Sequence, residues 1–176
     1  MKVLLHICCA PCSIYPVMSL RAEGFDVAGY FYNPNIHPYT EYVKRLQTLQ
    51  NYAGISLLPL KIDKDYELET FLKGAIGQGK DRCLFCYGMR LEKAFREGVE
   101  SGADAVTTTL LYSKYQRHED IKRICEGLAD IHGVPFLYRD LRLGWKKGIE
   151  ESKKLNMYRQ QYCGCIFSER ERFGDK

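Results

Sequence analysis

Five short apolar runs separated by helix-patterned segments restrict the fold of this chain more than any other feature. Lys2–Ile7, Phe25–Tyr32, Ile55–Leu60, Ala103–Thr109 and Val134–Arg139 are rich in branched, leucine and aromatic residues, and turn-formers such as Asn33-Pro34-Asn35 bound them. That combination is a strand signal. The intervening segments Ile14–Glu23, Thr40–Ala53, Asp65–Ala75, Tyr87–Gly102 and Glu119–Gly133 read as helices. In the second of these, Tyr42, Val43, Leu46, Leu49, Tyr52 and Ala53 recur close to the helical period. Regular β/α alternation predicts an α/β three-layer sandwich with a mainly parallel sheet. The working crevice of such folds lies beyond the carboxyl ends of the strands. "CCAPCS" follows the first strand there, "NPNIHPY" the second, and "TTTLLYSKYQ" continues the fourth. The cysteine-bearing C-terminal segment "YRQQYCGC" stands outside the alternation and is expected to fold back over that edge as a flap.

The 176 residues, 45% hydrophobic and 27% charged, suffice for one domain with a proper core. The N-terminal run "VLLHICCA" is too short to span a bilayer and does not continue like a signal peptide. A cytoplasmic location is expected, where thiols stay reduced and clustered cysteines mean metal or redox chemistry. Net charge is only +4, but Arg142, Lys146, Lys147, Lys153, Lys154 and Arg159 stand against Glu150 and Glu151 alone. Such a stripe can neutralise phosphates, or it can be a solvated helix face.

Seven of the eight cysteines fall in three groups: Cys8, Cys9 and Cys12; Cys83 and Cys86; Cys163 and Cys165. Two separated CxxC units, Cys9–Cys12 and Cys83–Cys86, can supply four soft ligands. Spacing leaves zinc and iron–sulfur both open, and with Cys8 present it also leaves open which first-group thiols take part. Cys12 lies where a helix should begin, so its thiol could be acidified without metal. In Cys163-Gly164-Cys165 the glycine lets the chain bend enough for a reactive disulfide, with two further ligands as the alternative. "GAIGQGKD" (74–81) imitates a phosphate loop, but it has Asp81 where Ser or Thr is required and follows a helix rather than a strand. Its glycines are expected to bend the chain towards Cys83. His6, His132 and Cys125 read as structural, whereas His37 and His118 fall in predicted edge loops and could meet substrate. Trp145 and the tyrosines could stack on bases or simply pack.

"HICCAPCS", "FYNPNIHPYTEY", "DRCLFCYGMRLEKA", "TTTLLYSKYQ", "FLYRD" and "MYRQQYCGCIFSE" together resemble the cobalamin-independent epoxyqueuosine reductases of the QueH type, from His6 to Glu169. The resemblance implies an oxidoreductase of tRNA processing, which reduces epoxyqueuosine to queuosine at the wobble position in the final step of queuosine biosynthesis. It implies a fold similar to PP-loop and nucleotide α-hydrolase domains, with residues 1–176 as a single α/β iron–sulfur domain. The "SGGxDS" loop of the related ATPases is missing, so ATP use is not expected. Carried over by position, Cys8, Cys9, Cys83 and Cys86 would ligate a [4Fe-4S] cluster, with Cys12 as alternate, and Cys163 and Cys165 would form the redox-active pair. Asp81 is assigned as an additional ligand or proton donor, and an additional mononuclear iron is considered. Asn33, Asn35, His37, Ser113, Gln116 and Arg159 are the candidate substrate-binding residues. The expected partners are tRNA carrying epoxyqueuosine and an external electron donor, with no membrane. Two other readings stay open: a non-catalytic iron–sulfur or zinc RNA-binding module, and an RNA sulfur transferase.

Overall fold

The computed structural model describes residues 1–174. Strands β1 (Lys2–His6), β2 (Asp26–Phe31), β3 (Leu60–Ile62) and β4 (Ala105–Thr108) form one parallel sheet in the order β3-β2-β1-β4. The chain moves outward from β1 to β3, then crosses back to place β4 on the other side of β1. That reversal opens a crevice at the carboxyl ends of β1 and β4, where ligands of open α/β sheets bind.

Among the described residues, seven α-helices complete the layers: α1 (Ala10–Ala22), α2 (Tyr39–Ser56), α3 (Leu68–Ala75), α4 (Arg82–Glu100), α5 (His118–His132), α6 (Trp145–Lys154) and α7 (Ile166–Phe173). Side chains alternate across a strand, so neighbours in β1 and β2 serve different cores. Leu4 and Tyr30 pack with Leu91 and Phe95 of α4 and Ile121 of α5. Leu5 and Phe31 pack with Ile14 and Val17 of α1 and Leu49 and Tyr52 of α2. Strands covered on both faces read as continuous apolar runs, which is why they were visible in the sequence.

Three expectations need correction. The run Ile55–Leu60 was expected as the third strand, but α2 continues through Ser56 and β3 begins at Leu60. Leu57 closes the helix in a left-handed conformation (φ 50°), with Leu58 N–H bonded to Ala53 O, so only the end of the run is left to pair. Val134–Arg139 is no full strand: one parallel bridge joins Phe136 to Val106. Pro135 lacks an N–H to extend that ladder. Cys83 and Cys86 do not lie between helices but in the first turns of α4.

Candidate active site

His6 ends β1 with a fully buried ring, its Nδ1 2.9 Å from Thr108 Oγ1 and Nε2 3.3 Å from the Tyr32 carbonyl. Burial pushes its pKa to about 3, so it is a neutral tie between three strand ends. The chain then turns through Cys8. Its N–H donates to Thr109 Oγ1 at 3.0 Å, and the Thr109 hydroxyl donates to Cys8 Sγ at 3.3 Å. Cys9 is the extended residue immediately before α1, and Cys12 follows in the first turn. Three residues apart at a helix start, their side chains meet on one side. The sulfurs of Cys8, Cys9 and Cys12 all lie within 4.8 Å of one another. Gln160 Nε2 reaches Cys9 Sγ at 3.0 Å and Cys12 Sγ at 3.7 Å. Hydrogen bonds from Cys12 and Cys9, with help from the Arg90 charge, hold the Cys8 thiol well below its ordinary range. Burial raises Cys9, and the bonds to Cys8 and Cys9 raise Cys12.

The second group is delivered by the glycine-rich turn, in which Gly77 (φ 88°) and Gly79 (φ 53°) take left-handed conformations before α4 starts. Phe85 lies against Gly74 of α3, so closely that a Cβ there would sit 2.0 Å from the ring. This locks α4 and directs Cys86 inward, where burial pushes its thiol up to about 12. Among the described residues, the expected set Cys8, Cys9, Cys83 and Cys86 is not a preassembled group. Cys12 stands with Cys8 and Cys9 instead, because α1 carries it there, whereas Cys83 and Cys86 ride on another helix.

One turn beyond Cys86 is Arg90, which sequence reasoning missed. Its side chain is 1% exposed, donates to Asn33 Oδ1 at 2.6 Å and lies 3.9 Å from Cys86 Sγ. The available signal was an arginine at i+4 from a CxxC cysteine on a helix.

The C-terminal segment closes the site as the expected flap. Arg45 of α2, paired with Glu41 at 2.7 Å, donates to the carbonyls of Cys163 (2.8 Å) and Tyr162 (3.1 Å). The His37 N–H donates to Gly164 O at 2.8 Å, and the Ile166 N–H donates to His37 Nδ1 at 3.2 Å. Tyr158 OH reaches Glu41, and Tyr162 OH reaches the His37 carbonyl. Gly164 takes a positive φ (152°) that would strain any other residue, and a Cβ there would also crowd Asn35 Nδ2 at 3.0 Å. Cys163, an exposed residue, thereby lines the crevice with Gln116 Nε2 3.3 Å from its sulfur, and Cys165 packs beside Cys86 and Phe71. No disulfide joins any of the eight cysteines.

A cleft of about 780 Å³ opens above these groups, and Cys8, Cys12, Cys163, Ser113, Gln116 and Arg159 contribute to its wall. Three of the expected substrate residues therefore face it. Asn33, Asn35 and His37 do not: all three are buried, and Asn33 and His37 serve Arg90 and the flap. His118 is also buried, bonded to Tyr138 OH at 3.1 Å. Asp81 is at the surface, 3.6 Å from Arg117. Trp145 joins the cleft wall between Tyr112 and Tyr115, with ring centroids 5.1 and 5.7 Å away. Of the basic stripe, Arg142 is paired with Asp140 and Lys154 with Glu151. Cys125, His6 and His132 are structural, as expected.

The protein-family model described as epoxyqueuosine reductase QueH matches residues 3–171. The chain belongs to that family. An epoxyqueuosine reductase QueH of Dehalococcoides mccartyi is 37% identical over 98% of this chain and 95% of its own length. Another, from Thermotoga maritima, is 34% identical over 97% and 91%. Two solved structures share the fold. The U34-tRNA thiolase NcsA of Methanococcus maripaludis, solved with its [4Fe-4S] cluster, superposes with a TM-score of 0.63 at 16% identity, covering 96% of this chain and 61% of that one. A predicted subunit of a tRNA methyltransferase from Methanocaldococcus jannaschii gives 0.58 at 12%, covering 87% and 74%. No described helix is long and apolar enough to cross a membrane.

Proposed function

We propose that the chain is a cobalamin-independent epoxyqueuosine reductase, converting epoxyqueuosine at the wobble position of tRNA to queuosine in the cytoplasm. The observation that carries this reading is the convergence of Cys8 and Cys12 with Cys163 on one cleft at the switch point of the sheet. A metal fits the donor set: three sulfurs are already gathered, and buried Arg90 has an Nε without a partner and no carboxylate beside it among the described residues. Cys8, Cys9 and Cys12 with Cys83 or Cys86 are the residues that would hold a [4Fe-4S] cluster, which supplies single-electron transfer when bound.

The chain's own groups provide the rest. Removing an epoxide oxygen as water, leaving an alkene, takes two electrons and two protons. Oxidation of the Cys163 and Cys165 thiols to a disulfide releases that number of each, and an external reductant then restores the pair. Gln116 holds the Cys163 sulfur on the cleft side through its N–H. Ser113 and Arg159 offer a hydroxyl and a cation to the sugar and phosphate of the nucleotide, and Trp145 an aromatic face to a neighbouring base. Asp81, as proton donor or ligand of an additional iron, would first have to leave Arg117.

The test is conversion of epoxyqueuosine-containing tRNA by anaerobically reconstituted protein with a chemical reductant, followed by nucleoside analysis. Queuosine is the expected product. A queuosine-replete deletion strain that instead lacks a thiolated nucleoside would identify a sulfur transferase.

A further inference from the structure

We propose that Arg90 is the built-in counter-charge of the sulfur centre, a positioning residue whose fixed cation raises the electron affinity of the iron–sulfur group held by the surrounding cysteines. The inference rests on the iron–sulfur reading of the site. The two most buried arginines are answered differently. Arg45 is 2% exposed and fully answered: Glu41 lies at 2.7 Å, and two carbonyls accept its remaining bonds. Arg90, 1% exposed, has no carboxylate in ion-pair reach among the described residues. It holds Asn33 Oδ1 at 2.6 Å and Cys86 Sγ at 3.9 Å, and its Nε has no partner. A guanidinium does not escape this cost by losing its proton. A buried charge without a paired anion is strongly unfavourable, so the anion must come from sulfur. The groups that favour its charged form are the thiols of Cys86, Cys8 and Cys163, one from each cysteine group.

The charge is also immobile. Asn33, which takes the bond from Arg90, is itself tied to the Ile7 carbonyl at 2.9 Å, and Ile7 directly follows β1. Arg90 therefore cannot swing out to solvent, although it reaches the cleft wall. A cation fixed beside an electron-accepting group in a poorly solvated site stabilises the reduced, more negative form. Net charge and hydrogen bonds to sulfur are the established determinants of such potentials. On this basis, Arg90 tunes the site through the sulfur group it faces.

The experiment compares anaerobically reconstituted wild type with Arg90→Lys, Arg90→Met and Asn33→Asp, using surface Arg123→Met as control. Iron content and a redox titration followed by EPR are the readouts. Asn33→Asp keeps the guanidinium but gives it a carboxylate, so it should act with the same sign as Arg90→Met. Both should shift the one-electron equilibrium towards the oxidised form by about tenfold, or ~59 mV. Arg90→Lys and Arg123→Met should stay near wild type. An unmoved potential in an iron-replete Arg90→Met overturns the inference. If Met and Asp variants load no iron while Lys does, the charge requirement stands; if Lys fails as well, the role is packing and the inference falls. A wild type without iron removes the parent reading, whereas an iron-loaded wild type with unmoved variants removes this inference alone.

Discussion

The first and third cysteine groups sit in one cleft but are held in opposite ways. Cys8, Cys9 and Cys12 are fixed at sulfur: Thr109 and Gln160 bond to the thiols, Cys9 and Cys12 are buried, and the three sulfurs lie within 4.8 Å of one another. Cys163 and Cys165 are fixed at the main chain. Arg45 and His37 grip the backbone from Tyr162 to Ile166, while Cys163 is an exposed residue on the cleft wall whose sulfur has one hydrogen-bond partner, Gln116, among the described residues. Ligands that must keep a metal benefit from preset sulfurs and a supporting shell of hydrogen bonds. Thiols that must exchange partners need an accessible sulfur on a well-placed chain. The contrast supports the proposed division, in which the first group holds metal and the third turns over.

Exchanging the fates of the two groups is the severest test. Cys9→Ala should lose the iron chromophore and lower turnover by more than about 100-fold, beyond the usual effect of a supporting-shell mutation. Cys163→Ser should lose turnover equally yet retain iron. Iron analysis and absorbance on both variants decide the matter. Loss of iron in Cys163→Ser would make the third group a ligand and end the distinction.

The next largest effect concerns the grip on the backbone. Arg45→Met leaves Glu41 buried with only Tyr158 as partner, which should cost about 3–5 kcal/mol in chemical denaturation. The double variant Glu41→Gln/Arg45→Met should recover much of that loss. In both, iron content should hold while alkylation of Cys165 accelerates, because the flap is loosened and the first group is not. Iron loss proportional to flap release would show that the two groups depend on each other.

Much of this organisation was legible in the sequence, and the unread parts have a common cause. The strands showed because both faces of β1 and β2 are buried, and the flap because its cysteines broke the alternation. Arg45 and Arg90 were not legible. On a helix, Glu41 and Arg45 four apart look like an exposed pair, and only the C-terminal segment, more than 110 residues later, buries them. His37 was misplaced for the same reason: a loop after a turn reads as solvated until Gly164 and Ile166 lie on it. The failed fifth strand had a local cause in Pro135, and β3 was misplaced because nothing in "GISLLPL" marks Leu57 as a left-handed helix cap.

The smallest predicted effect tests whether acid loosens the third group selectively. Burial lowers the pKa of His37, against a weaker opposing pull from its bond to the Pro34 carbonyl. Phe71 and Tyr66 present aromatic edges to the ring, with centroids at 5.3 and 6.5 Å. Neutral His37 donates from Nε2 to Pro34 O and accepts the Ile166 N–H at Nδ1. Protonation turns that acceptor into a donor facing another donor. The unfolded chain, with an ordinary value near 6.5, binds the proton first as pH falls. The contribution of His37 to stability should therefore be flat above about pH 6.5 and decline below it, by at most ~1.4 kcal/mol per pH unit, until its lowered folded-state value is passed, on top of the like contributions of buried His6 and His118. His37→Gln should remove only that contribution, making the slope measured by denaturation from pH 7 to 5 shallower while His6 and His118 keep theirs. Local release has its own signature: alkylation of Cys165 should rise at low pH, after correction for thiolate fraction, while iron content stays constant. Equal acid sensitivity of iron retention and Cys165 access in wild type, abolished together in His37→Gln, would mean that the main-chain grip also sets the sulfur centre.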